Sequence, residues 1–181
     1  MDGTMHGLTV ESQFCVLERL HSHPQPPAEH WLEDEPDTFP QQRFVDLAGD
    51  DGGLTLLNEG LPEYAITAQG EITVTLLRAV GRLGGKSSAI RYASGPELPT
   101  PGAQCPGWSS ARYALCPHGG DWRTGGVLRE VEEFQLPCRT IIGTGHSGTL
   151  PPDYGFIAID TDDLAWSALK QTEEGGAANY A

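Results

Sequence analysis

The sequence has 181 residues, with 25 acidic and 11 basic side chains and a formal net charge of −14. This balance argues against a nucleic-acid binder and against adhesion to an anionic membrane, because both depend on clustered Lys and Arg. No run of about 18 apolar residues would span a membrane, and no basic segment followed by an apolar one indicates a signal peptide. We therefore expect a cytoplasmic chain that forms one domain over residues 1–181.

Turn-forming residues dominate the composition. Glycine (23 residues) and proline (14 residues) make up about a fifth of the chain, which is typical of a β protein rich in turns. An alternating stretch at Phe14, Val16 and Leu17 predicts the first strand. Residues 21–40 contain five prolines and five acidic side chains. This segment therefore predicts an acidic loop within the domain, which Trp31 attaches to its body.

The middle of the chain predicts strands and one clear hairpin. A strand is expected from Phe44, and Leu54 to Leu57 form a second apolar run. Two alternating segments then flank a turn at Gln69 and Gly70, which is typical of a β-hairpin. The period of two places four apolar side chains on one buried face: Ile66, Ile72, Val74 and Leu76.

The last third predicts further strands around a single helix. Residues 112–116 are expected to form a strand that ends at Pro117. Val127, Leu128, Val131 and Phe134 recur at helical spacing, so one short helix is expected near residues 127–134. Residues 156–159 and 164–169 predict two more strands. The whole pattern favours a mainly β fold of the β-sandwich class.

Neither the cysteines nor the histidines form a metal-binding motif. Cys15, Cys105, Cys116 and Cys138 are too far apart for a zinc knuckle or a redox dithiol, and free thiols are expected. His118 and His146 are not part of a His-x-x-x-His or His-x-Asp motif. We expect no metal site in this chain unless ligands assemble over long distances.

Tryptophan side chains are candidates for contacts with sugar rings. Trp108 and Trp122 flank a predicted strand close to loops, where an indole can stack on a sugar. Trp166 alternates with Leu164 and Ala168, so the core is the better interpretation for it.

Seven segments in order resemble glycoside hydrolase family 38, the α-mannosidases, over most of the chain. The similarity is to the C-terminal region of the bacterial members. The segments are residues 11–19 (ESQFCVLER), 31–47 (WLEDEPDTFPQQRFVDL), 53–64 (GLTLLNEGLPEY), 73–83 (TVTLLRAVGRL), 99–107 (PTPGAQCPG), 112–122 (RYALCPHGGDW) and 166–175 (WSALKQTEEG).

The resemblance implies a β-supersandwich of the galactose-mutarotase-like kind and a parent enzyme that hydrolyses terminal α-mannosidic bonds with retention. In the family, an aspartate nucleophile, an acid/base and a zinc ion belong to a separate catalytic domain. No position of this chain matches any of these groups, so no catalytic residue and no cofactor are assigned to it. The resemblance also indicates a partial domain that lacks family sequence at both ends.

Sandwich domains of this family pack against the catalytic domain and can contribute residues to the rim of its cleft. Four polar side chains are candidates here: Arg78, Gln104, His118 and Asp121. Each can equally be a solvated group or one that stabilises a turn.

Three functions follow from these observations. The chain is a non-catalytic module that supports the catalytic domain of the same parent. The parent acts on a mannoside, and a homo-oligomer of the parent is a candidate assembly. It is, alternatively, a stand-alone carbohydrate-binding sandwich that uses Trp108 and Trp122. The third hypothesis is an enzyme that acts on a sugar ring through His118 and a carboxylate.

Overall fold

The structure is a computed structural model that describes residues 5–19, 36–67, 69–84, 95–145, 147–161, 168–173 and 178–180. Its contacts divide the chain into two units, Met1–Pro137 and Cys138–Ala181. Within the described ranges, no helix is long and apolar enough to cross a membrane.

The described residues form short antiparallel strands, one α-helix and one 3-10 turn. The helix is α1 (Val127–Gln135), and the 3-10 turn spans Pro101–Gln104. The strands are β1 (Met5–Ser12), β2 (Cys15–Arg19), β3 (Phe39–Pro40), β4 (Phe44–Gly49), β5 (Gly52–Glu59), β6 (Glu63–Ile66), β7 (Ile72–Val74), β8 (Arg82–Leu83), β9 (Leu98–Pro99), β10 (Arg112–His118), β11 (Leu169–Gln171) and β12 (Ala178–Tyr180).

A five-stranded antiparallel sheet organises the first unit. Its strand order is β10-β5-β4-β1-β2, and a three-stranded sheet follows the order β3-β6-β7. The pairs β1–β2 and β4–β5 are hairpins, whereas β4 pairs with β1 and β10 pairs with β5 across longer stretches of chain. Strand β4 is therefore central, with sheet neighbours on both sides.

One face of the five-stranded sheet packs against the hairpin β6–β7. Side chains alternate between the faces of a strand, so Val45 and Leu47 of β4 point to the same side. They pack with Leu8 and Val10 of β1 and with two residues of β6, which are Tyr64 and Ile66. This contact between two sheets forms the first apolar core.

The opposite face of the same sheet is covered by α1. Phe44 of β4 and Leu57 of β5 are buried with Val127 and Val131, which lie one helical turn apart. An apolar stripe at this spacing buries one side of a helix. The two cores therefore lie on opposite faces of β4.

An ion-pair network joins α1 to the sheet. Arg43, just before β4, donates hydrogen bonds to Glu11 of β1, and its Nη1 also lies 2.5 Å from Glu132 of the helix. The hydrogen bonds with Glu11 are the main reason that the pKa of Arg43 is raised above its usual value. The network holds the second turn of α1 close to β1 and the start of β4.

The predicted fold class is confirmed, because the described chain is mainly β in antiparallel sheets with one short helix. The helix prediction at residues 127–134 agrees with α1, and the predicted hairpin agrees with β6–β7. Leu76 was predicted on the buried face, which is wrong: β7 ends at Val74 and Leu76 is 57% exposed. The prediction that Phe14 lies in a strand is also wrong, because it occupies the β1–β2 turn with a φ of 59°.

The second unit contains the antiparallel pair β11–β12. The strand predicted at residues 156–159 is wrong: these residues are irregular, and Phe156 is 80% exposed. Phe156 instead contacts Tyr154 edge to face, with ring centroids 5.2 Å apart. Leu169 begins β11, whereas residues 162–167, including Trp166, and residues 20–35, including Trp31, lie outside the described residues. The single domain and the 21–40 loop stay predictions.

Candidate functional site

A buried pair of polar side chains lies between the sheet and the turn that precedes α1. His118 Nε2 is 2.8 Å from Asp46 Oδ1, and the two side chains are 4% and 0% exposed. Thr55 also donates a hydrogen bond from Oγ1 to the same Asp46 oxygen, over 2.7 Å. A buried carboxyl group requires such partners, because its desolvation is otherwise unfavourable.

Strand register brings these three residues together. Asp46 and Thr55 are directly opposite each other in the β4–β5 pair, and His118 is opposite Gly53 in the β10–β5 pair. A Cβ at Gly53 would overlap the imidazole ring. The glycine therefore leaves the space through which His118 reaches across β5 to Asp46 on β4.

The turn at residues 121–126 closes over the other side of the imidazole. A Cβ at Gly125 would lie 2.5 Å from His118 Nδ1, so a glycine is needed here as well. Asp121 holds the turn: its Oδ1 accepts hydrogen bonds from the backbone N–H groups of Arg123 and Thr124 at 3.1 and 2.8 Å. The bonds with Thr124 are the main reason that the pKa of Asp121 is lowered.

A shallow groove of about 670 Å³ opens beside this turn on the helix-covered side of the sheet. Its lining includes Glu18, Asp121, Trp122 and Arg123. Arg123 Nη1 lies 3.9 Å from a carboxylate oxygen of Glu18. The groove therefore combines carboxylates, one guanidinium group and an indole, which is a mixture that suits hydroxyl-bearing ligands.

The indole of Trp122 is already engaged by neighbours within the unit. Its ring centroid is 6.5 Å from that of Phe44, and the guanidinium carbon of Arg123 lies 4.3 Å from the indole centroid. The ring thus packs against the helix-side core and carries a cation–π contact. A sugar that stacks on this ring would have to displace Arg123.

Two polar atoms of the buried pair have no hydrogen-bond partner among the described residues: Asp46 Oδ2 and His118 Nδ1. Both are sealed from solvent, so neither is placed to exchange a proton with a molecule in the groove. This burial favours a role for the pair in holding β4, β5 and β10 together.

The structure brings together three of the sequence-predicted residues and leaves the others elsewhere. His118 belongs to the buried pair, Asp121 holds the turn beside it, and Trp122 lines the groove. Arg78 is 75% exposed and forms a 3.2 Å ion pair with Glu63 beside a separate cavity. Gln104 ends the 3-10 turn, and Trp108 is fully exposed in the following loop. Sugar contact by any of the six remains a prediction.

Sequence reasoning missed Asp46 and Thr55, the two residues that fix His118. Both interrupt apolar runs, FVDL at residues 44–47 and LTLL at residues 54–57. A carboxyl group inside an apolar strand indicates a buried acid that needs a partner, and this was the available signal.

The zinc ion that the resemblance implies for the parent enzyme has no set of ligands among the described residues. In that part of the chain, no three His, Cys, Asp or Glu side chains come close enough to hold a metal ion. The four cysteines are free, and burial is the main cause of the raised pKa of Cys116.

Known proteins match nearly the whole chain. It is 34% identical over 168 residues to a protein named "Putative mannosylglycerate hydrolase" from Halalkalibacterium halodurans. The structure also superposes on that of an alpha-mannosidase from Enterococcus faecalis with a TM-score of 0.75 and 29% identity. A second Enterococcus faecalis structure, described as a protein in glycosyl hydrolase family 38, gives a TM-score of 0.72 and 28% identity. No protein-family profile matches.

The chain is similar to one region of each of these longer proteins, among them the one described as a member of glycosyl hydrolase family 38. The match to the Halalkalibacterium halodurans protein covers 92% of this chain and 17% of that protein. The matches to the two structures cover 96% and 95% of this chain and 18% of each of theirs. The predicted resemblance is confirmed, and the chain spans less than a fifth of the length of each of these relatives.

Because His118 and Asp46 are buried against each other, we expect their contributions to the free energy of unfolding to be strongly coupled. The variant His118→Phe keeps a ring but removes one hydrogen-bond partner of Asp46 Oδ1, so we expect a loss of about 2–4 kcal/mol in the free energy of unfolding. Adding Asp46→Leu removes the buried acid and should restore part of that loss. Urea unfolding of the two single variants and the double variant measures the coupling. Simple addition of the two losses would show that the pair does not act as a unit.

The Asp121 turn predicts a pH-dependent contribution to stability. Because the pKa of Asp121 is lowered in the folded chain, its contribution is present above the unfolded pKa of about 4 and is lost as the pH falls through the folded value. Because the Asp121 carboxylate is half exposed and solvent screens it, Asp121→Ala should lower the free energy of unfolding by at most about 1 kcal/mol at neutral pH, and the difference should shrink in acid. Urea unfolding at a series of pH values measures it, with the exposed Asp160→Ala as control. A difference that does not change with pH would contradict this account.

Proposed function

We propose that this chain is a non-catalytic C-terminal domain of a family 38 α-mannosidase, in which it supports the catalytic domain. The observation that carries the proposal is the coverage: more than nine-tenths of this chain aligns with less than a fifth of each relative. A segment of this size within a much longer enzyme is one module of that enzyme.

The chemistry of the described residues supports a structural role. The clearest candidate for proton transfer, His118, is buried against Asp46, and its other ring nitrogen is closed off by the turn around Gly125. An acid or base in a glycosidase must instead reach the glycosidic oxygen.

The parent activity is part of the same proposal. The parent hydrolyses terminal α-mannosides with retention, and its zinc ion and carboxylates belong to the catalytic domain. The name of the Halalkalibacterium halodurans relative makes mannosylglycerate the first substrate to test.

A chimera tests the supporting role. In the Enterococcus faecalis alpha-mannosidase, this chain replaces the aligned region, and hydrolysis of p-nitrophenyl α-mannoside is measured. Because the replacement preserves the fold of the region, we expect the chimera to retain activity within about tenfold of the parent, whereas deletion of the region should abolish it.

An unrelated immunoglobulin-type sandwich inserted at the same place is the matched control and should behave like the deletion. A chimera with this chain that is as inactive as the deletion would refute the supporting role. Turnover of the mannoside by the isolated chain would also refute it.

Carbohydrate binding is a second candidate, favoured by the fully exposed indole of Trp108. Exposed aromatic rings with a polar surround are suited to the apolar faces of sugars. Titration with mannose should then change the tryptophan fluorescence with saturation, and Trp108→Ala should remove the change. An unchanged spectrum at a mannose concentration of about 50 mM, well above a weak Kd, would exclude this candidate.

A further inference from the structure

Strand β10 has one covered face and one uncovered face. Ala114 and Cys116 point towards α1 and pack in the helix-side core. Leu115 lies between these two residues in the chain, and Tyr113 precedes Ala114. Both point to the other side of the sheet, where Leu115 is 61% exposed and Tyr113 is 55% exposed. Alternation along a strand explains the two environments, but it does not explain why large apolar side chains remain in water.

The uncovered face continues onto β5. Leu54, which pairs with Pro117 of β10, is 40% exposed on the same side. We call Leu54, Tyr113 and Leu115 the uncovered face. A cavity of about 830 Å³ lies beside it, where Leu54, Leu115 and Ile72 contribute to the lining.

The hairpin β6–β7 covers only half of the sheet. Its side chains pack on β1 and β4, and no side chain of β5 or β10 belongs to that core in the described part of the chain. In a β-sandwich both inner faces are normally occupied along their length. On β5, Leu56 and Asn58 of this face are buried, at 7% and 0% exposure, so the exposed region begins at Leu54 and at β10. There the uncovered face continues the interior surface beyond the described second layer.

We propose that the uncovered face is the surface on which this region docks with an apolar segment of the remaining family 38 polypeptide. The inference rests on the proposed function and adds the contact through which that function is carried out. Contiguous exposed apolar side chains of this kind are typical of interaction sites.

The occupant follows from size and charge. More than four-fifths of each relative lies outside the aligned region, so the same polypeptide offers a partner at high effective concentration. A second copy of this chain is disfavoured, because each copy carries a net charge of −14.

The docking segment covers the face of β10 and does not extend the sheet beyond it. Pro117 lies within β10, and a proline has no backbone N–H to donate to a further strand. Prolines in sheets are confined to edges for this reason. Side-chain packing on Tyr113 and Leu115 is thus the contact to test.

The test uses the chimera with the Enterococcus faecalis alpha-mannosidase. Leu115→Lys places a charge in the proposed contact, and Leu83→Lys is the matched control because Leu83 is 58% exposed in the two-residue strand β8. We expect Leu115→Lys to reduce mannosidase activity at a temperature near the Tm of the chimera by about tenfold or more. The Leu83→Lys chimera should remain within about twofold of the unsubstituted one.

The isolated chain separates docking from folding. Because Leu115 is already exposed here, Leu115→Lys should leave the urea midpoint of the isolated chain unchanged, although it weakens the chimera. Equal effects of Leu115→Lys and Leu83→Lys in an active chimera would overturn the docking surface and leave the supporting role intact. An inactive unsubstituted chimera would instead overturn the supporting role and the docking surface that rests on it.

Light scattering tests the other occupant. The isolated chain should be a monomer at micromolar concentration. A dimer that Leu115→Lys dissociates would show that a second copy covers the face, and this result would overturn the proposed partner.

Discussion

Strand β4 is buried on both faces of the five-stranded sheet, and the arrangement of the first unit depends on this constraint. Phe44, Val45 and Asp46 have no exposed surface, and Leu47 has 8%. Phe44 and Val45 are neighbours that point to opposite faces, so Phe44 packs against α1 and Val45 packs against the hairpin β6–β7. Asp46, which follows them, needs polar partners, since a buried carboxyl group without them would oppose folding.

Those partners determine the local architecture on the helix side. Thr55 comes from β5 and His118 from β10, so a single carboxyl group ties together three consecutive strands of the sheet. The turn that closes over His118 is held by Asp121 and leads into α1. The buried pair and the start of the helix are thus parts of one structure. The polar cluster that looked most like a catalytic site serves the interior, and the surfaces left for function lie on the outside.

Local sequence patterns predicted the helix α1 and the hairpin β6–β7, because the residues that determine each of these elements are close together in the chain. The spacing of Val127 and Val131 was sufficient to predict the helix. The turn residues Gln69 and Gly70 between two alternating segments were sufficient to predict the hairpin. Residues 156–159 form a short apolar run (FIAI) of the kind found in strands, but such a run does not supply a neighbouring strand to pair with. The strand prediction for Phe14 failed for a related reason. The pairing of β1 with β2 places Phe14 in the turn, and its apolar side chain does not determine this position.

The candidate site shows the same limit. His118, Asp121 and Trp122 lie within five residues of one another, so their proximity was predictable from the sequence. Asp46 is 72 residues from His118, and only the register of β4, β5 and β10 brings them together. Arg78 and Gln104 were chosen from the family resemblance and Trp108 for its place near loops, and no strand pairing among the described residues brings them together.

The two glycines that face His118 constrain the order in which substitutions can accumulate. Neither position 53 nor position 125 has room for a methyl group while an imidazole lies between them. If residue 118 first became small, both positions would open, and side chains placed there would then exclude the return of histidine. Which residues are acceptable at 53 and 125 therefore depends on the mutational history of residue 118, and a change made in the reverse order passes through a less stable intermediate.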